Sequence, residues 1–142
     1  MNRLLLAFGL LLGLSVLTYA QENDASGADA IAVRSTVTNY IEAYYDGDAK
    51  RMAETLHSHY LKHMIHGDIP MREKTGAQML AEVRKSGAPG LSASQKTEQV
   101  IVLDIAGDMA SAKLVTPGWT DYMTLSKVDR EWRILSVVQR ID

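Results

Sequence analysis

Apolar residues at helical spacing open the part of the chain that we expect to fold. From Asp29 to Tyr45 they recur at three- and four-residue intervals, which predicts an amphipathic helix. The residues of this stripe are Val33, Val37, Tyr40, Ile41 and Tyr44. Asp46 and Gly47 end the pattern, and Asp48 can cap a short second helix that ends near Leu56. Two helices joined by a tight turn are therefore predicted.

A third helix and a series of strands follow. Thr75 and Gln78 have the spacing of a capping box, and the apolar residues behind them predict a helix that ends near Gly87. After Ser94 the pattern changes to a period of two with β-branched residues, which is typical of strands. Three tight turns divide this region, at Gly107-Asp108, Pro117-Gly118 and Asp129-Arg130. Helices first and an antiparallel meander last predict an α+β domain with its helices on one face of the sheet.

The turns also predict which residues share a face of the sheet. A two-residue turn after Ala106 places three apolar pairs opposite one another: Ile105 and Ala110, Leu103 and Ala112, Ile101 and Leu114. The later turns continue this face through Asp121, Met123, Leu125, Trp132, Ile134, Ser136 and Val138. The opposite face is mostly polar but carries Val102, Leu135 and Val137, which predicts a homodimer contact there.

The first twenty residues, MNRLLLAFGLLLGLSVLTYA, have the pattern of a secretory signal peptide. One arginine precedes an apolar run from Leu4 to Leu17, and small residues at Thr18 and Ala20 precede Gln21. This run is shorter than the ~20 residues that a membrane-spanning helix requires. The sequence therefore predicts a periplasmic or secreted protein that is cleaved after Ala20 and has no membrane partner afterwards. We also predict a flexible, polar leader at residues 21–28 and one domain at residues 29–142.

Charge and cysteine content narrow the function classes. The 142 residues contain 15 Lys and Arg against 17 Asp and Glu, and loss of Arg3 with the signal peptide leaves 14 basic residues. This balance lacks the basic excess of a nucleic-acid-binding domain, so no nucleic-acid partner is predicted. The chain has no cysteine, so its stability outside the cytoplasm depends on a packed core without disulfides.

A family resemblance is carried by the order of these elements and by the tail WTDYMTLSKVDREWRILSVV, residues 119–138. The chain resembles the nuclear transport factor 2-like superfamily, and within it the SnoaL-like proteins called putative lumazine-binding. Two positions depart from the family pattern: Ser58 replaces a usual proline, and Arg130-Glu131 replaces a usual glycine before Trp132. The resemblance implies a cone-shaped α+β barrel of the nuclear transport factor 2-like or cystatin-like type. Members use its cavity for small-molecule binding, for isomerase or cyclase chemistry, or only as a scaffold.

All four histidines lie in one segment, LHSHYLKHMIH, residues 56–66. On a helix three of them would share a face as zinc ligands: His59, His63 and His66. The resemblance instead implies a strand from Tyr60 to Ile65, with His57 and His59 in the turn before it. Histidines on both sides of such a turn do not converge, so we predict no metal and no other cofactor.

Two of these histidines are nevertheless candidate site residues. His63 has the strand parity of Leu61 and Ile65, and if that side faces the cavity it is a buried imidazole that can transfer a proton. The alternative is a hydrogen-bonded core histidine. His57 is a candidate ligand contact, although at the end of the second helix it would also complement the helix dipole.

Asp121 is the sharper catalytic candidate, because the predicted register makes it the one carboxylate on the apolar face. Burial there would raise its pKa toward that of a general acid or base. The alternative is a carboxylate at a wet rim that accepts backbone hydrogen bonds. Tyr40, Tyr44 and Trp119 are candidate ligand contacts, because their rings are placed near the cavity and carry a polar group. The alternative for these rings is ordinary core packing.

Three functions remain open from the sequence. The first is an exported protein that binds a small apolar or aromatic ligand through Asp121, His63 and Tyr44. The second is an isomerase or dehydratase in which Asp121 is the base and Tyr44 or His63 donates a hydrogen bond to the oxyanion. The third is a non-catalytic dimeric interaction module. A cavity with two or more convergent polar groups would favour catalysis, and a filled cone would favour the interaction module.

Overall fold

The computed structural model describes the backbone of residues 8–86 and 90–142, with side chains from Gly27 onward. The helices are α1 (Phe8–Asp46), α2 (Ala49–Thr55), α3 (Gly76–Ser86) and a short 3₁₀ helix (Ala93–Gln95). None of the described helices is long and apolar enough to cross a membrane. The predicted signal peptide, residues 1–20, lies outside the residues with described side chains. The predicted end of the third helix at Gly87 also lies outside the described residues.

Within the described residues, six strands form one sheet. They are β1 (Leu56–His66), β2 (Ile69–Thr75), β3 (Gln99–Ala106), β4 (Met109–Val115), β5 (Trp119–Val128) and β6 (Glu131–Ile141). Their order is β2-β1-β6-β5-β4-β3. The α+β class is confirmed, but the sheet is mixed because β1 runs parallel to β6. The pattern did not predict β2, whose residues are exposed except for the partly buried Lys74 and so show no apolar alternation.

The core lies between α1 and the sheet. The predicted stripe on α1 is confirmed at Val33, Val37 and Ile41, which are fully buried, whereas Tyr44 is half-buried. Strands β4 to β6 supply the opposing side chains: Ala112, Leu114, Met123, Leu125, Ile134 and Val137. The capping box before α3 is also confirmed, because the backbone N–H of Thr75 donates to Gln78 Oε1 at 2.8 Å.

Trp132 ties α1 to the β5–β6 hairpin. Its indole Nε1 donates to Asp29 Oδ1 at 3.0 Å, and Lys127 Nζ lies 2.6 Å from the same oxygen. The hydrogen bonds from Lys127 and Trp132 hold the pKa of Asp29 below its usual value. The prediction that Trp132 is a core residue is confirmed, since only 3% of it is exposed.

A bulge in β3 corrects part of the predicted register. Ile105 does lie opposite Ala110, but the pairing shifts between Val102 and Asp104. Val102 therefore lies opposite Ala112 and packs against the core, whereas 51% of Leu103 is exposed. The predicted inward positions of Ile101 and Leu103 are wrong, because one extra residue reverses the face of every residue beyond it.

A second bulge, in β6, has the same effect at the end of the chain. Thr124 pairs with Ser136 but Leu125 pairs with Ile134, so Leu135 is the extra residue. Val137 is consequently buried and 44% of Val138 is exposed, which reverses both predictions. The predicted dimer patch of Val102, Leu135 and Val137 is not formed, because Val102 and Val137 point inward.

The β5–β6 turn places two residues with side chains in the left-handed region. Asp129 has φ 50° and Arg130 has φ 68°, as a two-residue type I′ turn requires. Left-handed backbone costs an L-residue roughly 1–2 kcal/mol. Glycine avoids this cost, although its greater freedom in the unfolded chain offsets roughly 0.5–1 kcal/mol of the gain.

We therefore expect Arg130→Gly to raise the free energy of unfolding by up to ~1 kcal/mol. Urea denaturation of both proteins measures this difference. Arg130→Ala is the matched control, because it removes the same side chain but retains Cβ and should give no such gain. Equal stability of the two variants would contradict the strain assigned to this turn.

Candidate functional site

A cavity of about 480 Å³ lies between the helices and one face of the sheet. Its walls include Tyr40, Tyr44, Lys62, Met79, Trp119 and Asp121. Charged side chains of β2 and α3 also line it, among them Lys74 and Glu82. The space between the helices and the sheet is therefore not filled by the protein's side chains, and several polar groups converge in it.

Strand alternation places a lysine on the buried face of β1. Tyr60, Lys62 and Met64 are buried, and the residues between them are more exposed. Tyr60 packs beside the first residue of α3, with its Cβ close to Gly76. This contact directs the Tyr60 side of β1 toward the helices. The side chain of Lys62 follows the same parity and enters the cavity.

Asp121 reaches the same space from β5. It pairs with Leu114 on β4, as predicted from the Pro117-Gly118 turn, and with Gln139 on β6. Its exposed fraction is 0%. The predicted position of Ser136 on this face is wrong, because the bulge in β6 pairs Ser136 with Thr124 and brings Gln139 opposite Asp121.

Four polar side chains meet at the inner end of the cavity, and we call Tyr40, Tyr60, Lys62 and Asp121 the buried cluster. Lys62 Nζ lies 3.4 Å from Asp121 Oδ2 and 3.3 Å from the Tyr40 hydroxyl oxygen. The Tyr40 and Tyr60 hydroxyl oxygens lie 3.2 Å apart. Only 5% of Lys62 is exposed. The cluster is therefore a chain of polar contacts that bulk water scarcely reaches.

Burial shifts the pKa values of Lys62 and Asp121, the central pair of the cluster, toward one another. It raises the pKa of Asp121, although the nearby Lys62 ammonium opposes the shift. It lowers the pKa of Lys62, although Asp121 opposes that shift. Both changes follow from the cost of holding a charge away from water. The neutral and ionised forms of the pair are therefore closer in energy than they would be in water.

The tyrosines keep their protons. Burial raises the pKa of Tyr60 and raises that of Tyr40 well above its usual value. Both hydroxyls are therefore hydrogen-bond donors at neutral pH. Asp121 Oδ1 is buried and makes no hydrogen bond among the described residues, although the side chains of Gln139 and Trp119 lie near enough to lower the pKa of Asp121. The cluster thus combines phenol donors with a buried acceptor oxygen.

Aromatic rings form another wall of the cavity. The rings of Tyr44 and Trp119 meet edge to face with centroids 5.9 Å apart. Both side chains are partly buried and pack against the core. Together with Met79 they provide an apolar surface near the buried cluster.

A sequence profile described as putative lumazine-binding matches residues 28–139. The chain belongs to this family. Its fold is that of nuclear transport factor 2-like proteins. No curated protein matches the chain significantly.

Solved structures share the fold of this putative lumazine-binding family member. A nuclear transport factor 2-like protein of unknown function from Silicibacter pomeroyi is 16% identical, with 82% of this chain and 98% of that chain covered and a TM-score of 0.68. A ketosteroid isomerase-like protein from Erwinia carotovora atroseptica is 13% identical, with 78% and 94% covered and a TM-score of 0.56. A putative dehydratase from Streptomyces avermitilis is 14% identical, with 82% and 98% covered and a TM-score of 0.52. At these identities the likeness concerns the fold alone.

The structure brings together four of the six residues predicted to bind a ligand. Tyr40, Tyr44, Trp119 and Asp121 all line the cavity. His63 does not, because its side of β1 faces away from the helices and its Nε2 lies 3.0 Å from Glu73 Oε1. The prediction that His63 faces the cavity is therefore wrong.

His57 also lies away from the cavity. It belongs to β1 rather than to the end of the second helix, and its Nδ1 accepts a hydrogen bond from the backbone N–H of His59 at 3.0 Å. Among the described residues, no three His, Cys, Asp or Glu side chains converge as metal ligands.

Sequence reasoning missed Lys62 and Tyr60. Apolar residues occupy both parities of β1, with Tyr60 and Met64 on one side and Leu61 and Ile65 on the other. Alternation alone therefore could not decide which side is buried. The available signal was that Lys62 lies on the same side of the strand as Tyr60 and Met64.

Removing one partner of the central pair should be costly. Lys62→Met leaves the Asp121 carboxylate buried without its cation, and we expect it to lower the free energy of unfolding by ~3–5 kcal/mol at pH 7. Lys62→Met combined with Asp121→Asn should regain most of this loss. Chemical denaturation measures both differences, with exposed Lys50→Met as a control that should change stability by less than ~0.5 kcal/mol.

The loss of stability in Lys62→Met should depend on pH. Without Lys62 the largest effect that opposes burial is lost and only the side chains of Gln139 and Trp119 still lower the pKa of Asp121, so its folded-state pKa rises further above its unfolded value. The folded state then binds the proton more tightly, and this contribution is present below the unfolded pKa and is lost as pH rises through the folded pKa. Lys62→Met should therefore be closer to wild type at pH 5 than at pH 7. If Lys62→Met lowers the free energy of unfolding equally at pH 5 and pH 7, this would contradict a buried Asp121 carboxyl with a raised pKa.

Proposed function

We propose that this protein binds a small molecule with an apolar or aromatic body and an oxygen that contacts the buried cluster. The observation that carries the proposal is the convergence of Lys62, Asp121 and Tyr40 at the inner end of a cavity whose wall is aromatic. Small-molecule sites typically combine an apolar lining with a few polar groups in a volume of roughly 300–1,000 Å³. The cavity volume of about 480 Å³ lies within that range.

Buried polar groups support binding over a purely structural role. Asp121 Oδ1 lacks a partner among the described residues, and an unmade hydrogen bond at a buried oxygen costs about 1–3 kcal/mol. A ligand that donates a hydrogen bond to this oxygen would recover that energy. Tyr44 and Trp119 would contact the ligand body through their rings.

A second candidate is proton-transfer catalysis of the isomerase or dehydratase type. The raised pKa of Asp121 favours it, because a general base works best when its pKa lies near the operating pH. Asp121 would take the proton, and Lys62 or Tyr40 would donate a hydrogen bond to the oxyanion that develops. His63, the other catalytic candidate, is excluded by its position on the opposite face. The fold of the family does not by itself select a reaction.

Export remains part of this proposal. It is supported by Arg3, the apolar run and the small residues before Gln21. We expect the intact mass of the protein recovered from its host to begin at Gln21. A recovered chain that retains Met1 would contradict export and would leave the ligand to be sought in the cytoplasm.

Ligand binding is tested by native mass spectrometry of the protein from its own host, followed by calorimetry with the molecule that it retains. Lumazine and simple phenols are the first compounds to titrate if no molecule is retained. Trp119→Ala should weaken binding roughly tenfold, about 1.4 kcal/mol, because it removes one aromatic wall.

Asp121→Asn should weaken binding of the same ligand, because a carboxamide replaces one acceptor oxygen with a donor. The matched control is Asp104→Asn, on the exposed part of β3, which should leave affinity unchanged. Equal affinities of both variants and wild type would remove the buried cluster from the site.

A further inference from the structure

Lys62 differs from the other lysines that the structure describes. Its ammonium is buried within the domain, and 5% of the residue is exposed. Lys74 also lines the cavity, but it is paired with Glu82. The contacts of Lys62 Nζ to Asp121 and Tyr40 are 3.4 and 3.3 Å, which is long for hydrogen bonds donated by an ammonium. The amine is therefore held in place but not tightly bound by its neighbours.

We propose that Lys62 is a nucleophile that captures an aldehyde or ketone in this cavity as a Schiff base. The proposal rests on the proposed function, because the aromatic wall would hold the body of the same carbonyl compound. It names the class of that ligand and adds a covalent step at the amine.

The groups around Lys62 fit each stage of this condensation. The neutral Nζ attacks the carbonyl carbon, the carbonyl electron pair moves to oxygen, and Asp121 carries one proton from nitrogen to that oxygen to form a carbinolamine. Asp121 then carries the second proton from nitrogen to the hydroxyl, which leaves as water while the C=N bond forms. One carbonyl oxygen is lost as one water, and no oxidant or reductant is needed. The Tyr40 oxygen accepts from Lys62 Nζ at 3.3 Å, and its own O–H would donate a hydrogen bond to the reacting oxygen.

The environment also favours the neutral amine that this attack requires. Burial lowers the pKa of Lys62, the charge of Lys74 acts in the same direction, and Asp121 and Glu82 oppose both. Desolvation in an apolar pocket is a known way to activate a lysine toward carbonyl compounds. Tyr40 and Tyr60, the other titratable groups at this end of the cavity, remain neutral donors at pH 7.

The test is reductive trapping with benzaldehyde and sodium cyanoborohydride at pH 7, followed by peptide mapping of the wild-type chain. A lowered pKa raises the free-amine fraction, so Lys62 should be benzylated faster than an exposed lysine such as Lys50. This comparison is made within one sample and needs no variant. Labelling of Lys62 at or below the rate of Lys50 would overturn the proposal.

Two variants separate a reactive amine from a buried charge. Lys62→Arg retains the positive charge but cannot form an imine, so benzylation at this position should vanish while that of Lys50 is unchanged. Asp121→Asn retains the amine and also removes the charge that opposes the lowered pKa of Lys62, which by itself would speed trapping. Trapping at Lys62 should nevertheless become slower, because the proton carrier is lost. Unchanged or faster trapping in Asp121→Asn would remove Asp121 from the condensation and overturn the step as written.

Calorimetry with benzyl alcohol distinguishes failure of the covalent step from failure of the site. This probe has the same ring but no carbonyl. Saturable binding of benzyl alcohol without selective trapping at Lys62 would overturn the Schiff base and leave small-molecule binding intact. The absence of both would count against the cavity as a binding site as well as against the Schiff base.

Discussion

Burial of a lysine and an aspartate in one apolar core is the constraint on which this structure depends. Removing two charges from water costs several kcal/mol for each ion, and their attraction repays this only when geometry and hydrogen bonds are favourable. The contact between Lys62 and Asp121 is 3.4 Å, and one carboxylate oxygen has no partner among the described residues. An apolar pair would pack here at lower cost. The cost of this arrangement therefore supports the proposed binding in the cavity better than a role in stability.

The order of the strands makes this pair possible. Lys62 and Asp121 are separated by 59 residues in the chain, yet only β6 lies between their strands. The parallel pairing of β1 with β6 brings Lys62 to Val137, and β5 brings Asp121 to Gln139 two residues further on. A sheet made only of the β3–β6 meander would have no lysine beside this carboxylate. The site is thus a product of the one parallel pairing in the sheet.

The cavity and the core share the same elements but use different ends of them. On α1, Val33 and Val37 are fully buried against the sheet, whereas Tyr40 and Tyr44 line the cavity one and two turns later. The bulge in β6 turns Val137 and Gln139 to the inner face, which closes the core and places an amide opposite Asp121. The hydrogen bond from Trp132 to Asp29 holds the Asp29 end of α1 against the sheet, away from the buried cluster. A well-packed region therefore supports a polar one that is costly to bury.

The sequence by itself determined the features that arise from contacts close along the chain. The helix stripe on α1, the Thr75–Gln78 capping box and the three tight turns all depend on residues a few positions apart. The inward position of Asp121 follows from the Pro117-Gly118 turn in the same way. Four of the six predicted contacts lie in the cavity for this reason.

Tertiary structure alone decided the rest, because each remaining feature depends on partners far along the chain. The bulges at Leu103 and Leu135 are set by the fit of neighbouring strands, and no local pattern marks them. The exposed strand β2 exists only because it pairs with β1. Apolar residues lie on both parities of β1, so packing against α3 and β6 selected Lys62, and not His63, for the interior. The two-residue alternation of side chains indicates that a strand has two faces, but only the rest of the fold determines which face is buried.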